Sequence, residues 1–264
     1  MSQSIQDKRR QLIDNIDAYV DSLHGKALSG FVEETGMANL NVKYHGIDVD
    51  SGTPNDGGPK FLDLNSVKEM KELAAKQGNL EQISSQSSRH PYNLDAAEKL
   101  GVVYDGWHES IQPVPGEKQR EPPLWKKLTG DHYQYKTDEL VWRSIFTLRV
   151  RDHSRPDTVC FLANKDLFKD NQLFVSELTC ILGKAKYGLA HHEDGKHLIV
   201  PVTVVSAAGR LARIVQGYVD PNTFEIMVRV SEIVDIDRTD EENKEAILKV
   251  GCWLFGTPSE ETTS

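Results

Sequence analysis

The densest group of potential metal ligands in the sequence is a short run of histidines and acids that reads HHEDGKH and contains His191, His192 and His197. Imidazole nitrogens are common ligands of zinc and related metals. The run lies between a predicted helix and a predicted strand, so no helical face aligns its histidines as in an HExxH motif. We expect a metal site at His191, His192 and His197 only where this loop folds back on itself, and a solvated turn is the alternative.

A second group consists of arginines that could bind an anion. Arg210 and Arg213 lie on either side of a predicted turn, and Arg229 lies on a later predicted strand. The planar guanidinium group suits bidentate contacts to carboxylate or phosphate. The sequence therefore predicts a site formed by Arg210, Arg213 and Arg229 for a small acidic ligand, with strand-edge charges that prevent aggregation as the alternative.

The motifs of several enzyme classes are absent from the sequence. Cys160, Cys180 and Cys252 are an odd number without a CxxC pair, which argues against a disulfide framework and a structural zinc site. Each is expected to be a small, reduced, apolar side chain. No GxSxG, Walker A or GxGxxG motif occurs, which excludes the hydrolases, NTPases and dehydrogenases that depend on them. No cofactor is expected.

An enzyme whose site is assembled from distant residues remains an alternative, because separation in sequence hides such sites. It would use side chains with acid–base or ligand chemistry, such as His108, Glu177, His191 and His192. A deep pocket in which several of these residues converge would indicate such an enzyme.

A magnesium-dependent nuclease-like protein is a further alternative. Glu177 lies in a predicted helix that precedes strands bearing Asp220 and Glu225, and clustered carboxylates are suitable Mg²⁺ ligands. The residue two positions after Glu225 is Met227, where such a site usually has a lysine. This departure from the pattern argues against the nuclease reading.

Length and charge limit the class of protein. The chain has 264 residues, 27% of them charged, and a formal net charge of −9. These values are typical of a soluble globular protein with one or two domains. Residues 140–234 are the only basic block, with 12 basic and 10 acidic side chains. This small excess is far below the basic patch of a nucleic-acid-binding protein, so no nucleic-acid partner is expected.

The first part of the chain is predicted to be a helical and loop-rich region, residues 1–139. Apolar spacing predicts helices at 6–23, 67–77 and 94–100, the second with a Ser66–Glu69 capping box and the third ended by Gly101. Other stretches of this region are predicted to be loops, namely the turn-rich segment 50–60, the polar tract 82–88 and the proline-rich segment 113–123.

Residues 140–252 are predicted to form an α+β domain. A hairpin at 142–151 and 158–163 precedes a helix at 171–187, with Asp170 as its cap and Gly188 as its end. Further strands are predicted at 198–206, 211–219, 224–230 and 233–236, followed by a helix at 241–250. This order predicts an antiparallel sheet covered on one face by helices, with 253–264 as a flexible tail.

One part of this domain resembles a known group of sequences. The stretches DNQLFVSELTCILGKAKYG, HLIVPVTVVS, RLARIVQGYVD and IMVRVSEIVDI, within residues 170–236, are similar to a segment of uncharacterised proteins from filamentous fungi. The resemblance implies a fungal intracellular origin and a shared fold. It implies no activity and no catalytic residues.

The sequence thus favours a non-catalytic intracellular protein that binds another protein or a small acidic ligand. No apolar run is long enough to span a bilayer, and residues 1–10 lack the pattern of a signal peptide, so a cytoplasmic location is expected, with the nucleus as the alternative. An interaction protein of this kind should present an exposed apolar patch or an unpaired strand edge.

Overall fold

The fold is built on one large mixed sheet. The computed structural model describes residues 4–24, 30–77, 93–110, 124–128, 134–136, 141–151, 155–191, 197–236 and 240–259. The helices in these ranges are α1 (Ile5–His24), α2 (Glu34–Asn39), α3 (Val67–Gln77), α4 (Asn93–Ser110), α5 (Val175–His191) and α6 (Asp240–Leu254). The strands are β1 (Phe31–Val32), β2 (Val42–Gly46), β3 (Leu62–Asp63), β4 (Trp125–Lys127), β5 (Gln134–Lys136), β6 (Val141–Val150), β7 (Thr158–Asn164), β8 (Leu173–Phe174), β9 (Val202–Ala208), β10 (Leu211–Val219), β11 (Ile226–Val230), β12 (Val234–Asp235) and β13 (Thr257–Pro258).

Seven strands of the sheet follow the order β2-β11-β10-β9-β7-β6-β4, with β12 beside β10 and β5 beside β6. Most neighbours are antiparallel, but β7 pairs with β9 and β2 pairs with β11 in parallel. A parallel pair needs a long crossover connection, and α5 lies within the connection from β7 to β9. The predicted α+β class is confirmed, and the sheet is mixed.

Helices cover both faces of this sheet, where the sequence predicted them on one face. The α5 face carries α1 and α5 over one apolar cluster, and the α6 face carries α3, α4 and α6 over a second. The physical reason lies in β7 and β9, which are buried at every one of their seven positions. Because successive side chains of a strand point to opposite faces, such strands need a cover on both sides.

Two glycines that were predicted to end helices lie inside them. Helix α4 continues past Gly101, and α5 continues past Gly188. A Cβ at Gly101 would lie 2.8 Å from the ring of Phe161, and one at Gly188 would lie 2.7 Å from Val200 Cγ1. These glycines therefore allow their helices to pack closely against Phe161 and Val200, and they do not end the helices.

Several local predictions are confirmed. Helices α1 and α3 and the β6–β7 hairpin lie where the sequence places them. The capping box forms, since Ser66 N–H donates to Glu69 Oε2 at 2.7 Å and Glu69 N–H donates to Ser66 Oγ at 3.2 Å. Helix α5, however, begins at Val175, after Asp170 and the short strand β8.

Part of the predicted tail, residues 253–259, contains the end of α6 and strand β13. Trp253 on α6 has a buried side chain, and its indole N–H donates to Val49 O at 2.8 Å. Strand β13 pairs with β3, which holds Thr257 and Pro258 against the N-terminal region. The predicted loops at 82–88 and 113–123, and residues 260–264, lie outside the described residues. No helix in the described ranges is long and apolar enough to cross a membrane.

The sheet also takes a strand from the predicted N-terminal region. Strand β2 pairs with β11 over five residues, and α1 packs against α5. The domain boundary after residue 139 stays a prediction, but elements from both sides of it share the same sheet and the same apolar clusters.

Candidate functional site

The structure does not bring the three predicted anion-binding arginines together. Arg213 lies on β10 and contacts Glu177 of α5, whereas Arg229 lies on β11 and contacts Asp56 on the opposite face of the sheet. Arg210 precedes β10, and its Nη2 donates to Ile236 O at 2.9 Å. The sheet separates the Arg213 and Arg229 guanidinium groups, so one anion cannot bind both.

Arg213 forms a complete buried ion pair with Glu177. Its Nε donates to Glu177 Oε1 at 3.0 Å, and its Nη2 donates to Glu177 Oε2 at 2.6 Å and to Gln172 O at 3.0 Å. The side chains of Arg213 and Glu177 are 3% and 0% exposed. Glu177 Oε2 also accepts the N–H of Phe174 at 2.8 Å. This bidentate pair fixes the first turn of α5 to β10.

Beside this pair, three neutral side chains form a hydrogen-bonded chain between α5 and the sheet. Ser176 Oγ donates to Asn164 Oδ1 at 2.6 Å, and Asn164 Nδ2 donates to Ser206 Oγ at 3.0 Å. Ser206 is the cross-strand partner of Arg213, so the two groups are neighbours on the α5 face. The polar groups here satisfy one another and mark a structural junction.

Arg229 forms a less complete cluster on the α6 face. Its Nε donates to Asp56 Oδ2 at 2.9 Å, and its Nη1 donates to Pro59 O at 2.8 Å. The guanidinium group lies over the rings of Phe61 and Tyr218, at 4.9 and 5.7 Å from their centroids. Its Nη2 is buried and has no hydrogen-bond partner among the described residues.

The cluster anchors the turn-rich loop predicted at 50–60. Gly58 N–H donates to Asp56 Oδ1 at 3.0 Å, which orients the carboxylate toward Arg229. Burial raises the pKa of Asp56, but the hydrogen bonds from Arg229 and Gly58 outweigh it and hold the pKa below its ordinary value. Arg229 therefore fastens a loop to the sheet, as Arg213 fastens a helix.

The structure describes two of the three histidines of the predicted metal loop, His191 and His197. His191 ends α5 in an exposed position and stacks on Tyr187, with ring centroids 4.1 Å apart. His192 lies outside the described residues, and His197 lies on the segment that leads to β9. Within the described ranges, no group of three or more His, Cys, Asp or Glu side chains is placed to hold a metal ion.

The residues named for a distant-residue enzyme do not converge in the described structure. Glu177 and His191 lie near opposite ends of α5, about 21 Å apart along the helix axis. His108 is buried on α4, with its Nε2 3.4 Å from Trp125 O, and burial lowers its pKa. Helix α4 covers the α6 face, so His108 lies across the sheet from the helix that carries Glu177 and His191.

The three carboxylates of the nuclease-like alternative also have separate contacts. Glu177 pairs with Arg213, whereas Asp220 Oδ1 accepts the N–H groups of Asn222 and Thr223 at 2.7 and 3.0 Å. Glu225 pairs with Lys43 at 3.3 Å. Each of these acids is thus engaged in a local structural contact.

Sequence reasoning missed a buried acid at the start of β7. Asp157 is 2% exposed, and neither of its carboxylate oxygens has a hydrogen-bond partner in the described residues. Arg155 Nε lies 3.5 Å from Asp157 Oδ2, while Nη1 of the same arginine donates to Pro258 O at 2.8 Å. Burial raises the pKa of Asp157 to about 7. The RPD sequence resembles ordinary turn chemistry, so no local signal marks this residue.

An open backbone edge lies at β2, the last strand on one side of the described sheet. At its two ends, Ile226 N–H donates to Asn41 O and Ile47 N–H donates to Val230 O, both at 3.1 Å. Since inward and outward backbone groups alternate along a parallel strand, those of Val42 and Tyr44 face away from β11. No strand in the described part of the chain pairs with them.

The chain itself closes the far end of this edge. Asn55 N–H donates to Gly46 O at 3.0 Å, and Pro54 bridges with Ile47. Proline has no N–H to offer, which is a common way of ending an exposed edge. The open edge therefore comprises Val42, Lys43 and Tyr44, and we call these three residues the β2 edge.

The two faces of the β2 edge differ in chemistry. The partly buried side chains of Val42 and Tyr44 pack against the apolar cluster of the α5 face. Burial is the main reason why the pKa of Tyr44 is raised. On the other face, Lys43 forms its ion pair with Glu225, and half of its side chain is exposed. An added strand would meet an apolar surface on one face and a charged one on the other.

Comparisons of the chain with known family models, with curated proteins and with solved structures find no match. The resemblance to fungal sequences stays a prediction.

Proposed function

We propose that this protein is a non-catalytic binding protein that takes up an extended segment of a partner protein along the β2 edge. The observation that carries this proposal is the outward backbone of Val42 and Tyr44, which no described strand pairs with. Unpaired N–H and C=O groups at a sheet edge are a template for strand addition. The partner segment supplies the backbone groups that complete the ladder.

The chemistry of the β2 edge defines the segment that fits. A strand opposite Val42 and Tyr44 makes four backbone hydrogen bonds with their N–H and C=O groups. Its side chains alternate between the faces, so one set lies beside Val42 and Tyr44 and should be apolar. The other set lies beside Lys43 and should be polar with acceptor atoms. The favoured ligand is an extended segment with alternating apolar and polar residues.

Two arrangements found in the described residues support binding over catalysis. The buried ion pair Arg213–Glu177 is held by two direct hydrogen bonds and joins two secondary-structure elements. The acids and histidines considered for catalysis are distributed over distant positions of the fold. A binding role needs only the exposed edge.

The test compares two substitutions at one position. Tyr44→Val and Tyr44→Pro both remove the ring, but only proline removes the outward N–H. The inner ladder to β11 uses the neighbouring residues, so we expect both variants to fold. Seven-residue peptides would be selected from a random display library on the immobilised full chain. The affinity of a selected peptide would then be measured by fluorescence anisotropy.

We expect the selected peptide to bind Tyr44→Pro about tenfold more weakly than Tyr44→Val, because one net backbone hydrogen bond is worth about that factor. Equal affinity for the two variants, or a library that yields no peptide protecting the Val42 and Tyr44 amides from hydrogen exchange, would contradict the proposal. A sedimentation result in which the wild type is a dimer and Tyr44→Pro is a monomer would mean that the β2 edge binds a second copy of the chain and not a foreign segment.

A further inference from the structure

Two of the three cysteines face each other between the sheet and α5. Cys160 Sγ on β7 lies 3.9 Å from Cys180 Sγ on α5, although the residues are 20 positions apart in sequence. Their exposed fractions are 0% and 3%, and no disulfide joins the two sulfur atoms. A disulfide has a sulfur–sulfur distance of about 2.05 Å, so roughly 2 Å of approach separates the thiols from a bond.

The same two elements hold the thiols in this position through a second contact. Ser176 lies one helical turn before Cys180, and Asn164 lies on the same face of β7 as Cys160. The Ser176 Oγ to Asn164 Oδ1 hydrogen bond of 2.6 Å thus joins α5 to β7 beside the thiol pair. Because helix and strand are fixed relative to each other, the two sulfurs stay opposed.

The third cysteine occupies a different environment. Cys252 lies on α6 and belongs to the apolar cluster on the opposite face of the sheet. Burial raises the pKa of its thiol to about 11, which leaves little thiolate at neutral pH. Because the sheet separates Cys252 from Cys160 and Cys180, it serves as an internal control for reactions of the other two.

We propose that Cys160 and Cys180 form a reversible intramolecular disulfide when the protein meets a thiol oxidant of the diazene or small-disulfide class. The new bond joins Cys160 Sγ to Cys180 Sγ, and each thiol gives up one proton and one electron. A diazene takes up both protons and both electrons and becomes a hydrazine. A small disulfide is cleaved instead to two thiols, and an excess of dithiol reverses the reaction.

The bond would attach α5 covalently to the centre of the sheet. It would close a loop that contains β8 and the first turn of α5, including Glu177 and its contact to Arg213. Cross-linking a loop of this length restrains the unfolded chain. We expect the oxidised protein to melt at a temperature roughly 5 to 10 °C above that of the reduced protein.

The experiment treats the full chain with diamide, alkylates the remaining thiols in denaturant and maps the tryptic peptides by mass spectrometry. Trypsin separates Cys160 and Cys180 at the intervening lysines. We expect a cross-linked peptide pair that contains both residues, is two hydrogen masses lighter than the sum of the thiol forms and disappears with dithiothreitol. Cys252→Ser should preserve the cross-link, and Cys160→Ser or Cys180→Ser should abolish it.

The wild-type peptide map decides the question even where a cysteine variant fails to fold. Alkylation of both Cys160 and Cys180 after prolonged diamide treatment would overturn the proposal, as would cross-links that involve Cys252 or join two chains. Unchanged melting after complete oxidation would overturn the structural effect. None of these outcomes depends on peptide binding at the β2 edge.

Discussion

The two faces of the sheet each contain a buried arginine, and the two arginines are satisfied to different degrees. On the α5 face, Arg213 meets Glu177 in a bidentate pair and also donates to Gln172 O. On the α6 face, Arg229 makes one hydrogen bond to Asp56 and leaves Nη2 without a partner in the described residues. The first joins two regular elements, and the second fastens a loop.

The difference shows how a buried charge depends on what supplies its counter-charge. A helix presents Glu177 from a fixed backbone, so both carboxylate oxygens meet the guanidinium fork. Asp56 comes from a loop and divides its oxygens between Arg229 and Gly58 N–H. We expect substitutions on the α5 face to affect global stability most, and those around Arg229 to affect mainly the loop.

The largest effect is expected from Glu177→Gln. The substitution keeps the shape of the side chain but leaves Arg213 buried without a counter-ion, so the free energy of unfolding should fall by about 3 to 5 kcal/mol. Urea unfolding followed by circular dichroism measures the change. Glu225→Gln, at the exposed Lys43 pair, is the matched control and should change it by less than about 1 kcal/mol. Similar losses in the two variants would contradict the expected difference between the buried and the exposed ion pair.

A pH-dependent effect is expected at Asp157, whose pKa is raised to about 7 by burial. In the folded state the acid keeps its proton up to about that pH, whereas the unfolded acid loses it near pH 4. Its contribution to stability is therefore greatest below pH 4 and is lost as the pH rises through 7.

The neutral isostere Asp157→Asn should remove this dependence. Between pH 5 and pH 8, we expect the free energy of unfolding of the wild type to fall by about 3 kcal/mol more than that of the variant. Urea titrations at both pH values measure this difference. A difference of similar size in Asp63→Asn, at an exposed acid, would show that the effect is not specific to the buried site.

A smaller effect is expected from Asp56→Asn, which removes the charge opposite the second buried arginine. The amide oxygen still accepts a hydrogen bond, but the charge opposite Arg229 is lost, so the free energy of unfolding should fall by about 2 kcal/mol. Because the pKa of Asp56 is lowered, the wild-type contribution is present above about pH 4 and is lost on further acidification.

Hydrogen exchange in the Asp56→Asn variant should accelerate in residues 48–60 more than in α5. Uniform acceleration would contradict a local role.

The smallest effect is expected from Gly58→Ala. A Cβ at this position would lie 2.4 Å from Arg229 Nη2, so the loop has to shift by a small distance. We expect a loss of about 1 to 2 kcal/mol in the free energy of unfolding. Gly57→Ala is a control for backbone strain alone, since its φ is 68° and nothing lies within 4 Å of a Cβ there. A melting series of both variants separates the two causes.

The sequence alone determined most of the regular elements, because apolar spacing and turn residues act locally. The capping box at Ser66, the β6–β7 hairpin and β10 were all readable in this way. Helix ends at Gly101 and Gly188 were not, since the reason for these glycines is a neighbour that is distant in sequence. The second helical layer was missed because strands buried on both faces lack alternation.

The contacts of the charged and sulfur-containing side chains depend on strand register and helix packing. Arg213 and Gln216 are three residues apart on β10, so they face opposite sides, and Arg229 pairs in register with Gln216. That register placed the two arginines in separate clusters. Likewise, the thiols of Cys160 and Cys180 meet only because α5 packs on β7, a contact that no short-range pattern encodes. Local sequence specifies elements, while register and packing specify neighbours.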